Sequence, residues 1–173
     1  MNKIFESPNC IVEYDGNSTV YKTLKTKKIP PEWLPDYNRL RNNDPRYVEV
    51  FEVLDDYTFT MEYINELDTL EHILRYPKNW HYINRQILIE AVETFHTAFT
   101  DGLRVSKQEP NRDSFFLHTD LKVSNLIVDK NMNIKVIDPD SYAWIKQWQW
   151  TEKYYMNQIN MAFLLQRYFY QNV

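Results

Sequence analysis

In the N-terminal third of the chain, short runs rich in β-branched and aromatic residues alternate with turn-forming residues. Residues 10–14 and 18–24 predict two strands joined through Asp15-Gly16-Asn17, where glycine supplies the positive φ of a tight hairpin. Side chains alternate with period two, so Val20, Lys22 and Leu24 share one face of the second strand. A polar, proline-bearing stretch follows, with a short helix expected over 33–41, begun by Pro31 and limited by Pro35. Residues 48–54 and 57–64 predict two more strands, split by a hairpin signal at Asp55-Asp56.

Beyond Ile64 the period lengthens. Leu67, Leu70, His72, Ile73 and Leu74 suit a short helix, and Ile83, Ile87, Ala91, Phe95 and Phe99 recur every four residues along a long one. Residues 101–114 are polar and turn-rich and read as an exposed loop. Strand-like runs at 126–128 and 134–137 flank the turn 129–133, and helical spacing returns over 150–170 through Met156, Ile159, Phe163 and Leu164. No internal repeat or low-complexity segment interrupts this order. Strands first and helices second predict an α+β fold.

Composition narrows the class. The 173 residues carry 20 Lys plus Arg against 24 Asp plus Glu, a net charge of −4, and 43% are apolar. A single soluble domain of that size builds its core without staples, and one cysteine, Cys10, makes no internal disulfide. No apolar run reaches the ~18 residues of a membrane span, and the opening residues lack the apolar stretch of a signal peptide. A cytoplasmic location is therefore expected, with no membrane partner. Mild acidity argues against a nucleic-acid partner. Only two glycines occur, against average usage of about 7%, which disfavours a glycine-rich phosphate loop. The glycine-poor, Asn-, Lys- and Tyr-rich composition fits an AT-rich genome such as a phage, which would place the protein in the host cytoplasm.

Candidate chemistry concentrates in residues 117–141. Asp120, Asn125 and Asp138 follow one another there, with a hairpin holding the ends together. Hard oxygens at Asn125 and Asp138 suit Mg²⁺, which is commonly completed by water and substrate phosphates. Asp120 beside such a metal would orient a hydroxyl and accept its proton.

The run from His118 to Asn125, HTDLKVSN, resembles the catalytic loop of the protein-kinase-like superfamily with its arginine replaced, and Asp138-Pro139-Asp140 stands where that family has D-F-G. Val20-Tyr21-Lys22 is similar to the end of the family's lysine strand, and residues 60–64 to its hinge. The resemblance implies a minimal two-lobed kinase-like fold: an N-lobe at 1–61, a hinge at 62–66 and a truncated C-lobe at 67–173. It implies ATP and Mg²⁺, or Mn²⁺, as cofactors, with Asp120 as base, Lys122 neutralising the transferring group and Lys22 on the nucleotide phosphates. Backbone groups of Glu62 and Ile64 would meet the adenine edge, Met61 would set the pocket depth, and Val12, Val20 and Ile127 would sandwich the ring. Asn125 and Asp138 would hold the metal, with a further contact from Asp140. His118 would hold the backbone of the metal aspartate.

Several features depart from that family. The segment ahead of the lysine strand is a glycine-free stub around Ser7-Pro8-Asn9, and the lysine's usual glutamate partner is matched only by Glu32 or Asp36. Only 35 residues follow Asp138, too few for a peptide-docking lobe. Three activities stay open: phosphotransfer to a small molecule or protein, a nucleotide-binding pseudokinase acting through a partner, and nucleotidyl transfer. The helix with Tyr154, Tyr155, Phe163 and Tyr168, and the tryptophans at 144, 148 and 150, supply core packing or a surface for a homodimer or host-protein partner.

Overall fold

The computed structural model describes residues 1–76, 85–107 and 113–171. They fall into two compact units, Met1–Asn65 and Glu66–Val173, in a mixed α+β architecture.

The first unit is an antiparallel sheet of β1 (Asn2–Glu6), β2 (Cys10–Tyr14), β3 (Thr19–Leu24), β4 (Val50–Val53) and β5 (Thr58–Glu62), with one helix, α1 (Trp33–Arg41). The strand order is β1-β2-β3-β5-β4, leaving β1 and β4 at the edges. Both hairpins predicted from acidic turns close by the same device. Asp15 Oδ1 accepts the N–H groups of Asn17, Ser18 and Thr19 while Gly16 takes φ 95°, and Asp55 Oδ1 accepts those of Tyr57 and Thr58. Val20, Leu24 and Phe59 bury one face of the sheet, and Trp33, Tyr37 and Leu40 line α1, with the Trp33 ring 5.3 Å from that of Phe59. Tyr37 donates its buried hydroxyl to the Val48 carbonyl at 2.8 Å, as a buried O–H requires.

Two local expectations fail in this unit. The segment ahead of β2 is a full five-residue strand; its wholly exposed, charge-bearing sequence gives no alternating burial signal. Pro35 does not limit α1, because it lies in the first turn, where backbone N–H groups lack intrahelical partners in any case.

The second unit contains β6 (Glu66–Thr69), α2 (Leu70–Arg75), α3 (Arg85–Lys107), β7 (Phe115–His118), β8 (Leu126–Asp129), β9 (Ile134–Val136), β10 (Tyr142–Ile145) and α4 (Gln147–Gln171). The strands form two small antiparallel sheets, β6-β8-β9 and β10-β7. Leu67 belongs to a strand and not to the expected short helix. That helix starts only after Thr69, whose hydroxyl accepts the His72 N–H. Ile83 lies outside the described residues.

The helix α3 continues through seven residues expected to be loop. Asp101, Gly102, Val105 and Ser106 are buried there, so the amphipathic period persists with polar residues in apolar places. Ser106 makes this possible: its hydroxyl donates to the Gly102 carbonyl at 2.7 Å and accepts the Phe116 N–H at 3.0 Å. Gly102 lets the helix approach β7 closely, since a Cβ there would stand 2.3 Å from the Phe116 oxygen. Residues 108–112 of the expected loop lie outside the described residues.

Candidate functional site

In the first unit, the β-pairing sets four of the sequence-predicted residues on one sheet face. Val12 pairs with Lys22, Val20 pairs with Met61, and residues two apart on a strand point the same way. Val20 and Lys22 are buried; Val12 and Met61 are half-buried. The Glu62 N–H donates to the Glu49 carbonyl at 2.8 Å and its carboxylate accepts the Glu49 N–H at 2.8 Å, so both groups fasten the chain entering β4. Ile64 is half-buried just beyond β5.

In the second unit, residues 118–141 form a closed loop that carries β8 and β9 and whose ends are the paired strands β7 and β10. Thr119 donates both its N–H and its hydroxyl to the Ser141 carbonyl, each at 2.8 Å, continuing the register that sets His118 opposite Tyr142. His118 is buried against the Tyr142 ring, centroids 4.9 Å apart and nearly perpendicular. Its Nδ1 accepts the Asp120 N–H at 3.2 Å, so the proton of the neutral ring sits on Nε2, which donates to the Ile137 carbonyl at 3.3 Å. Burial pushes the imidazole pKa down to about 4, against the opposing pull of the Ile137 carbonyl and of the Asp138, Asp120 and Asp140 carboxylates.

Asn125 completes the clamp. Its Nδ2 donates to the Asp120 carbonyl at 2.8 Å and its own carbonyl accepts the Ile137 N–H at 3.0 Å. Asp120 itself is half-exposed and pairs with the Lys122 ammonium at 2.6 Å. Asp138 takes the left-handed conformation, φ 63°, at the entrance to a tight turn through Asp140, and its carbonyl accepts the Ser141 N–H. Ile127 is buried in the middle of β8 between Thr69 and Lys135 and serves as a core residue. The structure thus brings together Asp120, Lys122 and Asn125 through direct hydrogen bonds, and His118 ties them to the strand leading into Asp138. Oxygens for a cation are carried here by Asn125, Asp138 and Asp140. No group of three His, Cys, Asp or Glu residues suited to a metal occurs among the described residues.

Residues 84–163 match the family model described as Seadornavirus VP7. This segment is slightly under half of the chain and contains the whole 118–141 loop. No curated protein matches the chain. The match corrects the expectation drawn from the loop motif: the segment is similar to Seadornavirus VP7, and the assignment to the protein-kinase-like superfamily falls with it. Phosphotransfer with Asp120 as base falls too, as do the pseudokinase and nucleotidyl-transfer alternatives and the description of the chain as an ATP-binding transferase. The geometry supplies a physical reason for the misleading spacing. His118, Asn125 and the Asp120 backbone recur at these intervals because they close one hydrogen-bonded loop.

The Seadornavirus VP7-like segment also contains the greater part of α4, whose two faces differ sharply. Trp150 and Tyr154 stack on one another, and Trp150 lies 5.9 Å from the Phe115 ring of β7, so this face covers the sheet edge. The opposite face carries Trp148, Glu152, Tyr155, Ile159, Ala162 and Gln166, all exposed, with Trp148 at 67% and Ile159 at 59%. Their spacing is four, three, four, three, four, which is the spacing of a helix–helix seam. Of Trp144, Trp148 and Trp150, all three expected at a core or a contact surface, only Trp148 is exposed; Trp144 packs 5.6 Å from Phe116. Ile159, expected only as part of the helical period, is exposed with Trp148. The signal that marks the outer face is the alternation of four and three from Trp148 to Gln166.

Proposed function

We propose that the protein is an interaction module that pairs through the outer seam of α4 with the same seam of a second copy. The observation that carries this reading is the six-residue seam itself: a tryptophan, a tyrosine and an isoleucine stand in water at helix-pairing intervals. Aromatic residues at the centre of such a surface supply much of the binding energy in protein interfaces. Charge selects the orientation. A parallel, in-register pair would set Glu152 against Glu152 in the seam. An antiparallel pair centred near position 157 sets Tyr155 against Ile159, Glu152 against Ala162 and Trp148 against Gln166, and no charge meets its like.

A 25-residue helix is about 37 Å long, and a single stripe along it buries less than the roughly 800 Å² per partner of a standard interface. The dimer is accordingly weak, with a dissociation constant on the order of micromolar. Sedimentation velocity across a hundredfold concentration range tests it. The wild-type protein is expected to move from monomer towards dimer, and Ile159→Asp or Trp148→Ala to stay monomeric. A wild-type protein monomeric throughout, or variants that dimerise equally, would refute the reading.

A further inference from the structure

We infer that the groove between β4 and the start of α1 binds an extended peptide segment in which lysine or arginine alternates with bulky apolar side chains. The groove lies wholly within the first unit and has a volume of about 480 Å³, within the range of ordinary ligand sites. One wall is Pro30, Pro31, Leu34 and Pro35, and the facing wall is Phe51 and Val53. Phe51 sits in the bulge between Val50 and Glu52 and is 47% exposed, a large apolar side chain turned out of a folded sheet. Three prolines leave their wall without backbone donors at those positions, so an apolar occupant there leaves no N–H unsatisfied.

The form and charge of the occupant follow from the surroundings. β4 is an edge strand with no further strand beside it among the described residues, which favours an extended backbone lying along it. Glu52, Asp55 and Asp56 rim the groove, and Asp56 is paired with Lys28 at 2.5 Å. The exposed carboxylates of Glu52 and Asp55 therefore give the rim a net negative charge. A second copy presenting the same acidic rim would be repelled, whereas a cationic strand is complemented.

The probe is a fluorescein-labelled peptide of alternating lysine and phenylalanine, followed by anisotropy at low salt, with control peptides in which glutamate replaces lysine or serine replaces phenylalanine. Binding of the Lys/Phe peptide is expected to weaken by about tenfold or more in Glu52→Lys and in Phe51→Ser, both exposed positions that leave the circular dichroism spectrum unchanged. Neither control peptide is expected to bind comparably. Equal binding to the wild type and both variants, or equal binding of either control, overturns the proposal. Loss of binding in Trp148→Ala but not in Phe51→Ser would place the peptide on α4 and overturn it equally.

Discussion

His118 is the residue at which sequence, burial and charge meet most tightly. A histidine that accepts from one backbone N–H and donates to one backbone carbonyl is satisfied only when neutral. Its folded pKa of about 4 lies below the ordinary 6.5, so the unfolded chain takes up the proton first as the pH falls. The stability that the neutral ring confers is thus complete above 6.5 and is lost as the pH drops from there towards 4. Urea denaturation is expected to show a loss of about 2 kcal/mol between about pH 7.5 and pH 5, before most carboxylates titrate. His118→Gln keeps an amide able to hydrogen-bond but removes the titration; it should be less stable at neutral pH and nearly flat over that window. An unchanged slope in His118→Gln would assign the acid sensitivity to other groups. The residue also shows how far the loop was legible. Its structural role, holding the backbone beside Asp138, is implied by the resemblance of its loop and agrees with its bond to the Ile137 carbonyl. The catalytic roles implied for its neighbours do not follow, because the same intervals serve loop closure.

Among the elements, legibility follows how strongly a segment's burial pattern is written in apolar residues. β2, β3 and β5 are readable because β-branched and aromatic residues flank turns whose aspartates cap them. β1 escapes because it buries nothing, and β7 and β10 because each is four residues long and its partner lies more than twenty positions away. The last two turns of α3 escape for a different reason. Their buried positions hold Asp101, Gly102 and Ser106, which read as loop until the fit against β7 is seen. That fit yields a test at Gly102. Alanine normally stabilises a helix interior by about 1 kcal/mol over glycine. Here the added Cβ would meet the Phe116 oxygen at 2.3 Å and Leu117 Cδ2 at 2.4 Å, and the backbone oxygen belongs to a paired strand. Overpacking of this kind costs roughly 1–3 kcal/mol, so Gly102→Ala should be net destabilised in thermal or urea unfolding. An equal or more stable variant would show that α3 and β7 separate easily, contrary to the packing described.

At the scale of the whole molecule, self-association links stability to concentration. If two folded chains share the α4 seam, unfolding separates them, and mass action favours the folded dimer as the protein is concentrated. For a chain of 173 residues the unfolding enthalpy is on the order of 120 kcal/mol, about twice that for a dimer that unfolds to two chains, which translates into a rise in Tm of roughly 2 °C per tenfold increase in concentration above the dissociation constant. A monomer unfolding reversibly shows no such dependence. The net charge of −4 is small enough that repulsion between copies does not oppose the contact strongly. Ile159→Asp places a carboxylate opposite Tyr155 in the antiparallel pairing and is expected to abolish the dependence while leaving the low-concentration Tm close to that of the wild type, because Ile159 is exposed. Phe51→Ser, in the other unit, is expected to retain it, which separates the seam from the groove. A wild-type Tm that stays constant across a hundredfold range spanning the micromolar region would remove the seam as a dimer interface, whatever the groove binds.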